Sequence, residues 1–369
     1  MKQCGVITYL LFCIVTILAA QNTITFSLVG DIMPANIYNG CAVPKSQGIL
    51  LFKDATPIFS QSDFTLGNLE TTLADSGVPR NQEREYMFLT PVSYGKVLKE
   101  AGIDFLSLAN NHSLDFGVEG VASTIKVLTD NNILFSGLRR QKPFVTVTIK
   151  GIKVAICAFG FNYYCNHINK KSEVKRIITQ AKDNADIVVV SFHGGAEGSY
   201  YRNLPNDEET FLGENRGDLR SFAHFCIDNG ADIVYGHGPH VVRAVEVYNN
   251  RFIAYSLGNF CTPYGVSIKG VNGYAPIINV TVAANGEFSC GRIYSLRQLR
   301  GLGPKLDNQD CALKEIRLLS DDNIANGALN ITSTGHILPT HKTITGSDAE
   351  QVIEENYDEQ DIDWSKTGW

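Results

Sequence analysis

Phe26-Ser-Leu-Val-Gly-Asp31 is the first of five apolar runs that each end in a polar cluster. The others are Phe64-Thr-Leu-Gly-Asn68-Leu-Glu70, Phe105-Leu-Ser-Leu-Ala-Asn110-Asn111-His112, Val188-Val-Val-Ser-Phe-His193 and Ile233-Val-Tyr-Gly-His237-Gly-Pro-His240. Short β-rich runs of this kind read as buried strands. In an open α/β sheet, ligands bind beyond the carboxyl ends of the strands. Asp, Glu, Asn and His at those ends therefore point toward one crevice, and that set of side chains reads as a metal site.

The segments between the runs support an α/β fold. Gly48–Ser60, Val92–Ala101, Gly117–Asn131, Ser172–Asn184 and Arg220–Asn229 read as helices. Three hairpin patterns interrupt them: 144–159 around Lys150-Gly151, 245–256 around Asn249-Asn250, and 275–296 around Asn285-Gly286. Gly194–Asn215 reads as an excursion over the site. Helices alternating with strands, interleaved with hairpins, suggest two mixed sheets packed together with helices outside. Beyond about Gly301 the pattern weakens, and residues 301–369 read as a small appended tail, partly disordered.

Composition narrows the partners. The 369 residues are 44% hydrophobic and 19% charged, enough for a sizeable core. Lys plus Arg number 32 against 38 Asp plus Glu, and the formal charge is -6. That balance, without a long basic run, argues against nucleic acid. Lys2 precedes an apolar run from Gly5 to Ala20 that ends in small residues. It reads as a cleaved secretory signal over residues 1–20, with an uncleaved membrane anchor as the alternative. The expected location is outside the cytoplasm. Cys157 and Cys226 fall in apolar patterns and read as buried thiols, whereas Cys41, Cys165, Cys261 and Cys311 read as loop residues open to disulfide formation.

Each cluster has its own chemistry. Asp31 and Glu70 are hard oxygen donors, and Asn68 shares a strand face with Glu70 and is an alternative inward group. Asn111 offers a neutral oxygen. His112 suits a general acid, with Asp115 placed to orient its ring. His193, His237 and His240 are imidazole ligands on glycine-rich turns. Glu197 is a candidate base or further ligand. Imidazole suits zinc or iron and the oxygens suit manganese or magnesium, so the mixed set implies a divalent metal without naming it. No Gly-x-Ser-x-Gly elbow or Walker loop is present, and no cysteine sits at one of the five strand ends.

In order, Gly30-Asp31-Ile-Met33, Asn68-Leu-Glu70, Asn110-Asn111-His112-x-x-Asp115-x-Gly117, His193-x-Gly-x-Glu197, Gly236-His237-Gly-Pro239-His240 and Tyr255-Ser-Leu-Gly258-Asn259-Phe260 resemble the CapA family of poly-γ-glutamate capsule biosynthesis proteins. The resemblance covers residues from about Thr23 to Leu296. It implies a calcineurin-like metallophosphoesterase fold, a four-layer αββα sandwich over residues 21–300. It implies metal ligands at Asp31, Glu70, Asn111, His193, His237 and His240, and a proton donor at His112. It further implies a hydrolase or transferase acting on poly-γ-glutamate or another extracellular polymer, alongside membrane-bound capsule-synthesis proteins. A non-catalytic anchoring role and a phosphoesterase are the alternatives. Three departures bear on these: Met33 stands where an imidazole opens the metallophosphoesterase site, Gly194 where an aromatic residue is frequent, and Gly238 where a third His is common.

Overall fold

The computed structural model describes residues 23–40, 43–44, 48–81, 86–324 and 328–340. The expected signal segment, Cys41 and residues 341–369 lie outside the described residues.

Two sheets form the frame. The larger holds β1 (Thr23–Ile32), β2 (Phe64–Leu69), β3 (Phe105–Ser107) and β4 (Leu134–Ser136). The smaller holds β5 (Phe144–Ile149), β6 (Ile152–Gly160), β7 (Ile187–His193), β8 (Ile233–His237), β9 (Val245–Tyr248) and β10 (Arg251–Ala254). The chain then returns to the larger sheet with β11 (Asn259–Cys261), β12 (Ile277–Ala283), β13 (Phe288–Tyr294), β14 (Leu329–Ile331) and β15 (His336–Pro339). The larger sheet runs β14-β15-β13-β12-β1-β2-β3-β4, with β11 also beside β1, and the smaller runs β9-β10-β8-β7-β6-β5. Strands β1 to β4 are mutually parallel, as are β6, β7, β8 and β10. All their carboxyl ends therefore face one way within each sheet.

The side-chain alternation of β1 decides the layering. Ile24, Phe26 and Leu28 point between the sheets, where they meet Val154, Ile156, Val189 and Tyr235. Val29 and Ile32 point outward, onto Tyr94 and Leu98 of α2 (Tyr94–Ala101) and Leu128 of α3 (Gly117–Asp130). A shift in the β1–β2 pairing between Leu28 and Asp31 marks the change of face. On the far side of the smaller sheet, α4 (Lys171–Lys182) and α5 (Leu219–Asp228) cover Val188, Val190 and Phe192. Each fully buried large apolar side chain contributes roughly 1.5–3 kcal/mol. The expected αββα sandwich is what these three apolar layers build.

Three local expectations change. The helix expected over Gly48–Ser60 is only α1, Thr56–Phe59. Pro57 fits the first turn of a helix because it has no N–H to donate. The region after Gly301 is not appended as far as it is described. Its helix α6 (Cys311–Asn323) puts Leu313 and Ile316 into the core between the sheets, and β15 pairs with β13. Cys165 and Cys261 are buried rather than loop-exposed, and both, like Cys311, are free thiols. Cys157 and Cys226 are the buried thiols the sequence implied.

Candidate metal centre

Strand register gathers the polar ends. Asp31 of β1 lies opposite Asn68 of β2 and opposite Asn259 of β11. His193 of β7 lies opposite His237 of β8. Glycines make the approach possible. A Cβ on Gly30 would stand 2.0 Å from the Gly258 carbonyl oxygen, and here the Asp31 N–H donates to that oxygen at 2.9 Å. Gly238 has φ +113°, and a Cβ there would meet the Gly194 carbonyl at 2.4 Å. The two departures at 194 and 238 thus form one backbone contact that a histidine at 238 would break. His240 takes a left-handed φ of 57°, unusual outside glycine, and its ring turns back onto Asp31.

Asp31 is the hub. Its Oδ2 is 3.0 Å from His240 Nδ1, its Oδ1 is 3.4 Å from His237 Nδ1, and Oδ1 accepts from Asn68 Nδ2 at 2.9 Å. Glu70 follows β2 and reaches His193 Nε2 at 3.7 Å and His240 Nδ1 at 3.7 Å. Donor atoms of Asp31, Glu70 and His240 all lie within 4.8 Å of one another. Asp31, Glu70, His193 and His237 are buried.

Burial governs the protonation of this cluster. Alone it would raise the Asp31 carboxyl, but hydrogen bonds and charge from His237 and His240 outweigh it and hold that carboxyl far below the usual range. Burial, then the Asp31 charge, pushes Glu70 well up. Burial pushes His193 well down. Burial would lower His240 too, yet the Glu70 charge and the Asp31 contact raise it to about 10. Two carboxylates crowded into a dry site repel each other, and a shared cation relieves that repulsion.

His237 supplies the test of fit. The residue is 0% exposed, its Nε2 has no hydrogen-bond partner, and its Nδ1 faces only the Asp31 carboxylate, 3.4 Å away. The Asn259 side-chain oxygen is likewise buried without one. Buried polar atoms are nearly always paired, so these await a ligand. With carboxylate and imidazole donors beside them, the residues fit a divalent metal.

The remaining candidates stand around the cluster. His112 Nδ1 is 2.8 Å from Asp115 Oδ2, which also accepts the Phe88 N–H at 2.9 Å, so the imidazole is oriented as the sequence implied. Asn111 lines the same cleft as His240, and its neighbour Asn110 donates to Asn68 Oδ1 at 3.0 Å and to the Leu69 carbonyl at 2.8 Å. Glu197 is engaged by Arg216 at 2.8 Å, and its other oxygen is 3.8 Å from His240 Nε2. It bridges an arginine and the cluster rather than standing as an unencumbered base. The cleft has a volume of about 1040 Å³, and His112, Asn111, Glu197, His240, Arg216 and Arg80 line it.

Asn110, Asn259 and Arg216 were missed as site residues. Gly258-Asn259 repeats the Gly30-Asp31 and Gly67-Asn68 design, and that repeat was the available signal. Arg216 gave none. Its guanidinium packs 4.0 Å over the Phe161 ring from a ribbon, Glu209–Phe211 with Glu214–Gly217, that read only as a loop.

A four-layer sandwich with a carboxylate–imidazole cluster at its strand ends defines the class. Within it, the chain belongs to the family described as bacterial capsule synthesis protein PGA_cap, which matches residues 25–264. It is similar to the PGA biosynthesis protein CapA of Bacillus subtilis (strain 168), 32% identical over 261 residues, covering 67% of this chain and 65% of that protein. The capsule biosynthesis protein CapA of Bacillus anthracis is 30% identical over 262 residues, covering 66% and 60%. The chain thus spans less than two thirds of the length of either relative. Among solved structures, a putative 5'-nucleotidase from Staphylococcus aureus in complex with alpha-ketoglutarate overlaps 81% of this chain and 58% of its own, at 16% identity and TM-score 0.44. A likeness of that size says nothing about chemistry.

Proposed function

We propose that this protein is a metal-dependent hydrolase, or related transferase, acting outside the cytoplasm on poly-γ-glutamate or a related acidic surface polymer. The observation that carries the metal is the buried His237, whose Nε2 lacks a partner while its Nδ1 faces Asp31 at 3.4 Å. Relatives named for capsule biosynthesis carry the polymer. Asp31, Glu70, His193, His237 and His240 would hold a divalent cation, which when bound polarises a scissile oxygen and activates water. Asp115 accepts from His112 Nδ1, which leaves Nε2 as the position that gives or takes a proton at the leaving group. Arg80 in the cleft wall suits the carboxylates of an acidic chain.

The test is polymer length. Purified protein supplied with manganese or zinc is incubated with poly-γ-glutamate, and chain length is followed by size-exclusion chromatography. Shortening by the unaltered protein, lost in His112→Ala, supports the reading. An unchanged polymer with the metal bound contradicts it.

A second reading, a non-catalytic accessory of capsule assembly, rests on Met33. This buried thioether stands where the superfamily has an imidazole, so the donor set is one nitrogen short. Bound metal without turnover on the polymer or on a phosphate ester is its signature.

A further inference from the structure

A second cavity, of about 560 Å³, opens beside the cleft. Arg139, Arg140, Arg176, Asn166, Ser172 and Glu173 line it. Three guanidinium groups face one carboxylate there, in a chain whose formal charge is -6. Glu173 neutralises only Arg139, at 3.3 Å. Arg176 bonds the neutral Gln180 at 3.0 Å. Neither Arg140 nor Arg176 has an ion-pair partner among the described residues. Arg140 is held in a left-handed conformation, φ 64°, that a non-glycine residue adopts at a cost. The wall is firm, because Asn166 is buried and donates to the Pro143 carbonyl at 3.0 Å and the Ala158 carbonyl at 2.9 Å.

Its position ties the cavity to the cleft. Residues 162–166 form one loop between them: Asn162, Tyr163 and Tyr164 line the cleft, and Asn166 lines the cavity. The Arg139 N–H donates to the Tyr164 carbonyl at 2.9 Å across that loop. On the cleft side, the Arg80 guanidinium lies 5.3 Å over the Tyr163 ring. Cations therefore stand on both sides of one short loop.

We propose that this second cavity is a subsite for the carboxylates of an acidic polymer whose reacting segment lies in the cleft. The proposal rests on the reading of the substrate given above. A polymer with a carboxylate on every unit meets Arg80 in the cleft, then Arg140 and Arg176 beyond the 162–166 loop. Guanidinium groups suit this because they grip carboxylates through two parallel hydrogen bonds. An oligomer too short to cross the loop gains nothing from it. The cavity thus favours long chains over short ones.

The experiment compares binding of long poly-γ-glutamate with that of a γ-glutamyl trimer, by titration calorimetry at low and high salt. The proteins are the unaltered chain, Arg140→Glu/Arg176→Glu, Arg140→Lys/Arg176→Lys and a remote control, Lys126→Glu on α3. The double reversal should weaken long-polymer binding about tenfold at low salt, leaving trimer binding and metal content unchanged. The lysine pair should retain most of the affinity, and the control all of it. Long-polymer binding untouched by the double reversal overturns the subsite and leaves the proposed function standing. Equal losses for polymer and trimer, or the same loss in the control, also overturn it. If the unaltered protein binds no poly-γ-glutamate, the subsite and the substrate reading fall together.

Discussion

The floor of the centre and its rim are built differently. The floor is made of strand ends: Asp31, Asn68, His193, His237 and Asn259 are fixed by sheet register and by glycines that admit close backbone contact. The rim is a short ribbon and its flanking loops. Its 194–217 segment is held by buried arginines: Arg216 pairs with Glu197 at 2.8 Å, and Arg243 meets both oxygens of Glu209 at 2.7 Å and donates to the Tyr201 carbonyl at 2.8 Å. Glu209 also accepts the Ala196 N–H at 2.9 Å, one residue before Glu197. The floor is rigid because the fold is rigid. The rim depends on a few polar contacts.

The largest effect should come from the floor. Asp31→Ala removes the hub of His237 and His240, and we expect metal affinity to fall by more than about a hundredfold, since even outer partners of ligands are worth 10–100-fold. Metal content after gel filtration reads this out. His112→Ala separates chemistry from binding. Turnover on the polymer should drop about 10²–10⁴-fold while metal content holds. A metal loss in that variant would move His112 into the ligand set.

The rim comes next. Arg243→Ala leaves Glu209 buried and unpaired, which should cost about 3–5 kcal/mol in denaturant unfolding. Replacing both partners, Arg243→Met with Glu209→Leu, should recover most of that stability while KM on the polymer stays raised. Equal stability in the single and the double variant would deny the pair its role as clamp. Gly238→Ala tests where floor and rim meet. A side chain at φ +113° facing the Gly194 carbonyl should cost about 1–3 kcal/mol.

The smallest effect belongs to Glu246, which is hydrogen-bonded to His224 and Tyr255. Burial would raise the Glu246 carboxyl, but hydrogen bonds from His224 and Tyr255 hold it below its usual value. A depressed carboxylate stabilises the fold above its unfolded pKa, about 4.3, and that stability fades as pH falls through the lower folded value. Glu246→Gln should therefore lose about 1 kcal/mol at pH 7 and flatten the acid limb of stability against pH. An unchanged acid limb would contradict this.

The floor was legible in the sequence because strand ends carry a local signature: an apolar run that ends in polar donors, with a glycine just before Asp31, Asn68 and His237. Asp31, Glu70, His193, His237 and His240 all follow it. Asn110 and Asn259 carry the same mark but act through amide hydrogen bonds and an orphaned oxygen, which spacing alone does not reveal. The rim was not legible. Arg243 and Glu209 are 34 residues apart and Arg216 and Glu197 are 19 apart, and both pairings exist only after the ribbon has folded over the sheet. The strands β14 and β15 were missed because each is short, and only β15 reaches the larger sheet, pairing with β13 across a long connection while β14 pairs with β15.

Direct metal titration decides the central claim. Apo-protein prepared by chelation, then titrated with manganese or zinc by calorimetry, should bind a divalent cation in the unaltered chain and in His112→Ala, and should lose that binding in His237→Ala. Equal binding by His237→Ala and the unaltered chain, or none by either, would contradict an account built on the strand-end cluster.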